Sequence, residues 1–480
     1  MTGPNGSPSP DDDHWQSRDA PGQYSRPTGL PQADTDVAAC LGGRGPCPTQ
    51  CGLCMRWAVK LCVAAAVAVG AGACGSSSSP PTAASNRPTP ASSLATLNLY
   101  SFPDPSGATA KTVASCNAQS HGKYKISYKR LPAAADAQRQ QLARRLATHD
   151  NTVDIMGLDV TWAAEFAEAG WILPWTGTNR QLAESDTLKP TLATATWHGK
   201  LYAVPANTNT QLLWYRSDLV KTPPTTWDEM ISDAEQLASE GKPHYIEIQG
   251  AQYESTTVWF NTLVTSAGGS ILTPDSQRAS LGPPAVHALE IIKRLATSAA
   301  ADPSLPSQME ADNWRAMESG KAAFELNYPF VYPAMKADDP KMFKHFKWAP
   351  YPEVVPGQPA RVTVGGIDLA VSAYSPHPQQ AFQAALCLRN RQNQLNAAIQ
   401  GGLPPTLETL YHDPTMFRDY PFHADILKAL KTASVRPKTP AYQAVSTDIS
   451  HLVSPPAAIN PTATEQQMAS KITNTLRSTG

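Results

Sequence analysis

Three carboxylates in one short segment are the side chains best suited to acid–base chemistry. They are Asp159, Glu165 and Glu168. A pair of carboxylates can hydrolyse a glycosidic bond when one protonates the leaving oxygen and the other attacks the sugar or activates water. Sequence spacing does not set the separation that this reaction requires, and Glu165 and Glu168 fit the solvent-exposed face of a helix at least as well. These carboxylates do not by themselves predict an enzyme.

Other reactive motifs are incomplete. Ser120–Lys123 and Ser239–Lys242 match Ser-x-x-Lys, but each lies at a glycine-containing helix end without the companion motifs of such enzymes. The chain has no Walker, H-E-x-x-H or G-x-S-x-G motif. One stretch of cysteines contains a single C-x-x-C and no second ligand pair, and it comprises Cys40, Cys47, Cys51 and Cys54. We therefore predict no catalytic residue, no bound metal and no cofactor.

Cys74 has a different predicted chemistry. It follows the small residues Ala71–Ala73, and a basic start precedes the apolar stretch Leu61–Gly72, which is the order of a secretory signal. The stretch is shorter than the roughly 20 residues of a membrane-spanning helix. Small residues followed directly by Cys resemble a bacterial lipobox, although Ala71 stands where Leu is commoner. We predict a signal peptide at 55–73 and acylation of Cys74, with a core helix that ends in Cys as the alternative.

The segments on either side of this signal have the composition of unstructured chain. Residues 1–54 are rich in Pro, Gly and Asp, which predicts disorder. Because a secretory signal belongs at an N-terminus, we expect translation to begin at Met55. Residues 74–94 are mostly Ser, Pro, Thr and Ala, which predicts a flexible tether behind the acylated cysteine. The folded part is expected from about Ala95, and it is long enough for two domains.

Charge and the remaining cysteines narrow the class of protein further. The formal net charge is −1 and no basic cluster is present, so nucleic acid is not an expected partner. Cys116 and Cys387 are the two cysteines of the folded part. In an oxidising compartment they are candidates for one disulfide. Two unrelated buried thiols are the alternative.

Strands and helices alternate in the first part of the folded chain. The hydrophobic patterns predict strands at Thr96–Phe102, Tyr124–Lys129 and Val153–Leu158, with helices at Ser106–Gln119 and Ala133–Thr148 between them. This alternation favours a parallel sheet with crossover helices. Ligands of such sheets bind beyond the carboxyl ends of the strands, and Asp159 follows the third strand.

A second α/β unit follows. Thr226–Glu229 is a capping box that predicts the start of a helix through Leu237. The later predicted elements are a strand at Tyr245–Gln249 and helices at Thr257–Ser266, Ala285–Thr297 and Asn313–Glu318.

Several blocks resemble the sugar-binding proteins of ABC importers. These blocks are Leu201–Pro205, Asn209–Leu219, Pro223–Glu229, Gly320–Phe324 and Val364–Val371. Other blocks are similar, within that group, to the trehalose-binding lipoproteins of the mycobacterial trehalose-recycling importer. They are Leu158–Val160 with Trp162, Ala164–Trp171, Val258–Leu263 and Val435–Pro437 with Thr439 and Pro440. The resemblance runs from about Tyr100 to the C-terminal region.

The resemblance implies an α/β fold of the two-lobe periplasmic-binding-protein (Venus-flytrap) type, with a hinge and a ligand cleft between the lobes. Since the chain of such proteins crosses between lobes more than once, it implies an N-terminal lobe of 95–206 and 362–405. The C-terminal lobe would comprise 207–361 and 406–480. Both Cys116 and Cys387 then lie in the N-terminal lobe, which supports the disulfide. It also implies a monomer.

Ligand contacts are transferred from the family position by position. They fall on Asp159, Asn209, Glu310, Tyr328 and Arg436, with the backbone at Gly366 and with Glu254 or Trp259 close by. Carboxylates accept hydrogen bonds from pairs of sugar hydroxyls, and a guanidinium donates in a fixed fork. An aromatic face can cover the apolar face of a pyranose ring.

Each of these assignments has a structural alternative. Asp159 could cap the following helix, Arg436 could form a structural ion pair, and Asn209 could satisfy hinge backbone. Glu254 and Trp259 could be a surface group and a core aromatic.

The chain departs from these relatives at three places. Tyr328 stands where they carry Trp, Asp368 stands where they carry Asn, and Ala334–Phe346 is shorter than theirs. Asp368 would add a charge if it faced the cleft. Because a site that binds hydroxyls rejects ligands that lack them, such changes could alter which disaccharide fits.

The sequence thus predicts a binding protein rather than an enzyme, lipid-anchored on the extracytoplasmic face of the cell membrane. It would bind a disaccharide, with trehalose as the first candidate, and deliver it to the permease subunits of an ABC importer. Closure is expected about a hinge near Asn207–Gln211 and Val362–Gly366. The alternatives are a binding protein for another disaccharide or oligosaccharide, an envelope scaffold without sugar binding, and a glycoside hydrolase.

Overall fold

The structure is a computed structural model that describes residues 94–479. The strands are β1 (Ala95–Ser101), β2 (Tyr124–Arg130), β3 (Ile155–Asp159), β4 (Thr196–Trp197), β5 (Lys200–Leu201), β6 (Ala203–Asn209), β7 (Leu212–Arg216), β8 (Tyr245–Glu247), β9 (Ala322–Asn327), β10 (Phe346–Ala349) and β11 (Gly365–Val371). The expectations for residues 1–54, the signal at 55–73, Cys74 and the tether fall before residue 94, outside this part of the chain.

Helices cover the sheets and connect their strands. They are α1 (Ala108–Gln119), α2 (Ala135–Ala147), α3 (Ala163–Glu168), α4 (Gly177–Glu184), α5 (Lys189–Thr194), α6 (Trp227–Ser239), α7 (Glu254–Ser266), α8 (Pro283–Thr297), α9 (Glu310–Glu318), α10 (Val331–Asp338), α11 (Pro340–Phe343), α12 (Pro378–Leu388), α13 (Arg391–Gly401), α14 (Pro414–Asp419), α15 (His423–Thr432), α16 (Tyr442–Val453) and α17 (Pro461–Thr479). Within residues 94–479, none is long and apolar enough to cross a membrane.

The first sheet has the strand order β2-β1-β3-β11-β6. β1 is parallel to both β2 and β3, as the alternating pattern predicts. β11, which was not predicted, is antiparallel to both of its neighbours, so the first sheet as a whole is mixed. The reason is the path of the chain: β6 leaves this sheet at Asn209, and β11 re-enters beside it at Gly365. Because the chain returns at the edge where it left, the returning strand runs in the opposite direction.

The second sheet has the order β10-β7-β9-β8. Thr210 and Gln211 alone separate β6 of the first sheet from β7 of the second, so this short segment carries the chain from one sheet to the other. β7 is antiparallel to β9 and β10, whereas β8 and β9 are parallel.

Each sheet has its own apolar core, which confirms the two-lobe α/β architecture. The core against the first sheet includes Leu97, Ile155, Phe166, Trp175 and Phe382. The core against the second includes Trp227, Trp259, Phe260, Ile292 and Phe324. A third cluster, around Trp214, Phe346 and Phe422, covers the other face of the second sheet. The exact lobe limits given above stay a prediction.

Local signals account for most of the predicted elements. Thr226 accepts a hydrogen bond from the Glu229 backbone at 3.1 Å and Glu229 accepts one from the Thr226 backbone at 3.3 Å, so the capping box is confirmed. Helices α7, α8 and α9 begin two or more residues before their predicted starts. α8 begins with Pro283 and Pro284, which need no intrahelical donor in the first turn.

The disulfide is present. Cys116 of α1 and Cys387 of α12 are bonded, with Cα atoms 5.8 Å apart. The bond therefore joins two helices that pack against the first sheet but lie 271 residues apart in the chain.

Candidate ligand-binding site

Arg436 lies between the two sheets and contacts a carboxylate from each side. It follows α15, and its Nη2 donates to Asp159 Oδ1, at the end of β3, over 3.3 Å. Its Nη1 donates to Glu254 Oε1, at the start of α7. Although burial opposes the charge, Asp159 and Glu254 hold the pKa of Arg436 above its ordinary value. The side chain is 4% exposed, and its Nε has no hydrogen-bond partner within residues 94–479.

Glu254 is fixed from several directions. Besides Arg436, its carboxylate accepts hydrogen bonds from the hydroxyls of Tyr442 and Ser446, both on α16. Burial raises the pKa of Glu254, while Arg436 acts against that shift. Tyr442 and Ser446 were not predicted, because nothing in the pattern of α16 distinguishes them from ordinary core positions. Glu254 is therefore a buried group that holds Arg436 in place, and not a surface group.

One carboxylate oxygen of Asp159 takes part in a local turn, and the other is open to a ligand. Its Oδ1 accepts hydrogen bonds from the backbone and hydroxyl of Thr161, at 3.0 and 2.8 Å, in a turn before α3. The N-cap of α3 is Trp162 and not Asp159. Among residues 94–479, Oδ1 alone of the two carboxylate oxygens accepts a hydrogen bond, which leaves Oδ2 available to a ligand.

Glu310 and Tyr328 line the cluster on the side of the second sheet. Glu310 begins α9 and accepts a hydrogen bond from the Ser255 hydroxyl. Tyr328 follows β9, where its backbone N–H donates to Asn327 Oδ1 at 2.8 Å. Burial and the negative charge of Glu310 raise the pKa of Tyr328. Tyr253, which the sequence did not single out, places a buried hydroxyl beside Glu310, and this hydroxyl has no hydrogen-bond partner within residues 94–479.

Gly366 and Asn209 meet where β6 and β11 pass between the sheets. Gly366 has φ 131°, and a Cβ there would lie 2.4 Å from the carbonyl oxygen of Asn207. Glycine is required at this position, because two backbones approach closely and φ is positive. Asn209 pairs with Gly365 in the sheet, and its Oδ1 is buried with no partner in the described chain.

Two of the singled-out residues lie elsewhere. The Trp259 ring is fully buried in the core against the second sheet and stacks on Trp227 at 6.1 Å. Asp368 is also fully buried, on β11 beside Thr194. The Thr194 hydroxyl lies 2.6 Å from the Thr191 carbonyl oxygen and 3.1 Å from Asp368 Oδ2, and it is a donor toward both oxygens.

Burial raises the pKa of Asp368 to about 8. Its departure from the family's Asn therefore adds no charge to the cleft at neutral pH.

The remaining carboxylates do not form a hydrolytic pair. Glu165 accepts two hydrogen bonds from Arg139, and Glu168 is 58% exposed and bonded to the Trp197 indole. Glu168 lies on the solvent-facing side of α3, whereas Glu165 is 17% exposed and packs against Arg139 of α2. Residues 94–479 also contain no cluster of three His, Cys, Asp or Glu side chains arranged for a metal ion.

The arrangement suits an uncharged ligand with many hydroxyls. It offers a guanidinium, open carboxylate oxygens and a phenol, all held by buried partners. The donor Arg436 Nε and the acceptor Asn209 Oδ1 have no partner in the described chain and would otherwise be costly to bury. Two lobes that enclose such a polar cluster define a solute-binding fold.

The comparison with protein families agrees with this class. Residues 106–394 match the bacterial extracellular solute-binding proteins, and the chain belongs to that family. Membership identifies it as a binding protein and not an enzyme. A probable ABC transporter-binding protein of Deinococcus radiodurans is 32% identical over 326 residues, which are 64% of this chain and 75% of that protein. A putative binding protein of Brucella abortus is 24% identical, and the chain spans about half of its length.

Solved structures share the fold over nearly all of the described chain. Maltose-bound MalE3 of T. maritima is 25% identical, with a TM-score of 0.72 that covers 81% of this chain and all of that one. The GacH receptor of Streptomyces glaucescens, solved unliganded and with acarbose, is 23% identical with a TM-score of 0.70 over 80% of this chain and 99% of its own.

Proposed function

We propose that this chain is the sugar-binding component of an ABC importer and that it binds a disaccharide between its two lobes. The observation that carries the proposal is Arg436, a buried guanidinium held between Asp159 and Glu254 whose Nε has no partner in residues 94–479. Asn209, at the crossover between the sheets, likewise keeps a buried amide oxygen without a partner in that part of the chain. A neutral ligand rich in hydroxyls can satisfy both atoms without adding a buried charge. The open oxygen of Asp159 supplies a further acceptor.

The relatives support the transport class. The Deinococcus relative is described as an ABC transporter-binding protein, and the MalE3 structure contains maltose. Similar folds have been solved with ligands of other sizes, among them tagatose, ribitol and maltotriose. Since the fold admits all of these, the size of the ligand must be decided by side chains.

Trehalose is the first candidate ligand. Its support is the resemblance around Asp159, α7 and Arg436 to trehalose-binding lipoproteins. Tyr328 replaces the Trp of those relatives but keeps an aromatic face and adds a hydroxyl. Asp368 is buried and protonated, so it does not argue against a neutral disaccharide.

Membrane attachment is part of the same proposal. The pattern at Ala71–Cys74 favours an acylated cysteine followed by a flexible tether. Such an anchor would hold the binding protein on the outer face of the membrane beside its permease. Mass spectrometry of Cys74 in protein extracted from membranes tests the anchor separately from sugar binding.

The experiment is calorimetric titration of residues 95–480 with trehalose, maltose and sucrose. We expect binding of trehalose without hydrolysis, and at least a tenfold loss in Asp159→Ala, since a charge-assisted hydrogen bond contributes about 1.5–3 kcal/mol. Glu165→Gln, a carboxylate of the same segment that pairs with Arg139, is the matched control and should bind normally.

The outcomes separate the alternatives. Binding of maltose or sucrose alone would keep the transport class and replace trehalose. Folded protein that binds none of a wide sugar panel would contradict the proposal and favour a scaffold role. Release of glucose would indicate a hydrolase.

A further inference from the structure

Two buried glutamates lie behind the proposed site, in the interior of the second sheet. Glu247 of β8 and Glu325 of β9 are neighbours in register on parallel strands. Side chains of such neighbours lie on the same face of a sheet. Both residues are fully buried.

Each carboxyl is only half satisfied by hydrogen bonds. Glu325 Oε1 accepts from the Asn327 amide at 2.6 Å, and Glu247 Oε2 accepts from the Gln308 amide. The second oxygens, Glu325 Oε2 and Glu247 Oε1, are buried without a partner in residues 94–479. An isolated buried carboxylate is far more costly than a neutral carboxyl, so this environment favours the protonated form.

The groups packed around the pair do not supply a compensating positive charge. Asp302, before α9, acts on Glu247 and is itself acidic. Glu310 begins α9, and the Arg315 of that helix is exposed and directed to Asp312 at 3.7 Å. On the other side of β9, β7 places Trp214 opposite Glu325, and Trp214 does not titrate. Burial raises the pKa values of Glu247 and Glu325 to about 8, with repulsion from Asp302 adding to the shift of Glu247 and repulsion from Glu247 adding to that of Glu325.

Asn327 connects Glu325 to the proposed sugar site. Its Nδ2 donates both to Glu325 Oε1 and to the backbone carbonyl of Glu310, the latter at 2.9 Å. Its Oδ1 accepts from the backbone N–H of Tyr328 at 2.8 Å. One amide, oriented by Glu325, thus fixes the backbone of two proposed ligand-binding residues.

Glu247 connects to the segment that joins the two sheets. Gln308 bonds to Glu247 and to Asn313, Asn313 bonds to Gln249, and Gln249 accepts from Gln211 at 2.7 Å. Gln211 is the last residue before β7. The network therefore runs from the carboxyl pair to the crossover between the lobes.

We propose that Glu325 is a positioning residue for the sugar site, and that sugar binds preferentially to the protein in which the Glu247–Glu325 pair is uncharged. This inference rests on the proposed function. When the pair ionises, two negative charges stand on neighbouring strands, and the charged Glu325 carboxylate attracts the Asn327 amide more strongly. That attraction shifts the amide, whose second N–H donates to the Glu310 carbonyl, away from Glu310. Glu310 and Tyr328 then lose their fixed backbone positions, and sugar affinity falls as pH rises.

The test compares the affinity for trehalose of the native protein and of Glu325→Gln from pH 6 to pH 9.5. A one-unit difference in pKa between free and bound protein changes affinity about tenfold. In the native protein we expect the affinity for trehalose to fall about tenfold above pH 7.5. In E325Q we expect an affinity within about twofold of the native value at pH 6 and nearly independent of pH. Asp233→Asn, which removes a carboxyl from α6 of the same lobe, should keep the native profile.

Calorimetry at pH 8 in two buffers of different ionisation enthalpy gives a second readout. Binding by the native protein should take up protons, and binding by E325Q should take up fewer. A purely structural role for Glu325 would change affinity without changing this proton count. A native pH profile in E325Q, or a flat profile in the native protein, would overturn the inference.

A measurement without sugar separates this inference from the proposed function. A raised carboxyl pKa contributes stability that is present below the pKa of the unfolded chain and is lost as pH rises through the folded value. The difference in Tm, E325Q minus native, should therefore become more positive by about 2 °C or more between pH 5 and pH 8.5. No such increase would contradict the inference, whereas absence of sugar binding by the native protein at pH 6 would contradict the proposed function.

Discussion

Arg436 is a cation held away from water by its neighbours. Removing a guanidinium from water is costly, and the two carboxylates repay that cost only because each lies within hydrogen-bond distance. Glu254 is satisfied by Arg436, Tyr442 and Ser446, whereas Asp159 keeps one open oxygen. Arg436 therefore forms the structural ion pair that was the alternative, and its role as a ligand residue stays a prediction.

Arg436→Met should weaken the binding free energy for sugar by about 2–5 kcal/mol, a loss of affinity of about thirtyfold or more, because a buried charge pair is broken. It should also lower Tm, since Glu254 is left buried and unpaired. The double variant R436M/E254Q should recover much of the Tm without recovering affinity. Thermal unfolding and titration check both. Arg418→Met, an exposed pair with Asp419, is the control; equal affinity in R436M and R418M would refute the assignment.

The raised pKa of the buried Asp368 carboxyl should make the stability of the protein depend on pH. Its pKa of about 8 lies above the ordinary value of about 4, so the folded protein retains a proton that the unfolded chain releases. The stabilising contribution is complete below about pH 4 and is lost as pH rises through 8. Asp368→Asn should therefore gain Tm over the native protein as pH rises from 5 to 8, as measured by scanning calorimetry. A constant Tm difference would contradict a buried neutral carboxyl.

The same variant tests sugar selectivity. Because Asn is nearly isosteric with a protonated Asp, D368N should leave the ratio of trehalose to maltose affinity unchanged at pH 6. A changed ratio would place Asp368 among the specificity-determining residues.

Strand β11 belongs to the first sheet and also lies beside the proposed ligand-binding site. It completes the first sheet between β3 and β6, and its first residues lie beside Asn209 at the crossover. The register shifts between Ile367 and Asp368, directly after Gly366. A bulge of this kind redirects side chains next to a functional site.

Gly366→Ala should destabilise the protein by about 1–3 kcal/mol, since a residue with a side chain is strained at φ 131° and its Cβ would meet the backbone of Asn207 and Thr208. Sugar affinity should fall as well, because β6 and β11 must separate. Gly365→Ala is the matched control: its Cβ would lie 3.3 Å from Asn209 Cβ, a contact that small shifts relieve. Similar Tm losses in the two variants would contradict the argument.

Contacts outside the sugar cluster also join the two sides of the molecule. Gln443 of α16 donates to Asp136 of α2 at 3.0 Å, and Lys438 donates to the Ala193 carbonyl at 2.9 Å. These two contacts join the start of α16 and the loop after α15 to helices of the first sheet. Closure is favoured only by contacts that the closed state alone makes. We therefore expect the two contacts, which involve no proposed ligand residue, to contribute to affinity.

Gln443→Ala should weaken sugar binding by about 0.5–1.5 kcal/mol, which is roughly two- to tenfold, because one interlobe hydrogen bond is lost. The Tm should hardly change. Titration gives the affinity, and small-angle scattering with saturating sugar reports closure. Thr447→Ala, an exposed position on the same helix, is the control. Native affinity in Q443A would show that this contact does not contribute to closure.

Local signals in the sequence predicted much of the first sheet and several helices. The strands before Asp159 and the capping box at Thr226 depend on periodicity and on neighbours three residues apart, so a short window contains the necessary information. The direction of β11 was missed, because it depends on where the chain returns from the second lobe. Tyr442, Ser446 and Asn327 were missed for the same reason, since their partners are distant in sequence.

By itself, the sequence determined the alternation of strands and helices and the position of Asp159 directly after the third strand. These features follow from residue types and short-range spacing, whereas Arg436 was singled out only by the resemblance to a family. The tertiary structure alone decided that Arg436 joins Asp159 to Glu254, that Trp259 lies in a core, and that Asp368 and Glu325 are buried. Charge, protonation and access to ligand depend on burial and on partners tens to hundreds of residues away, and only the folded chain brings those partners together.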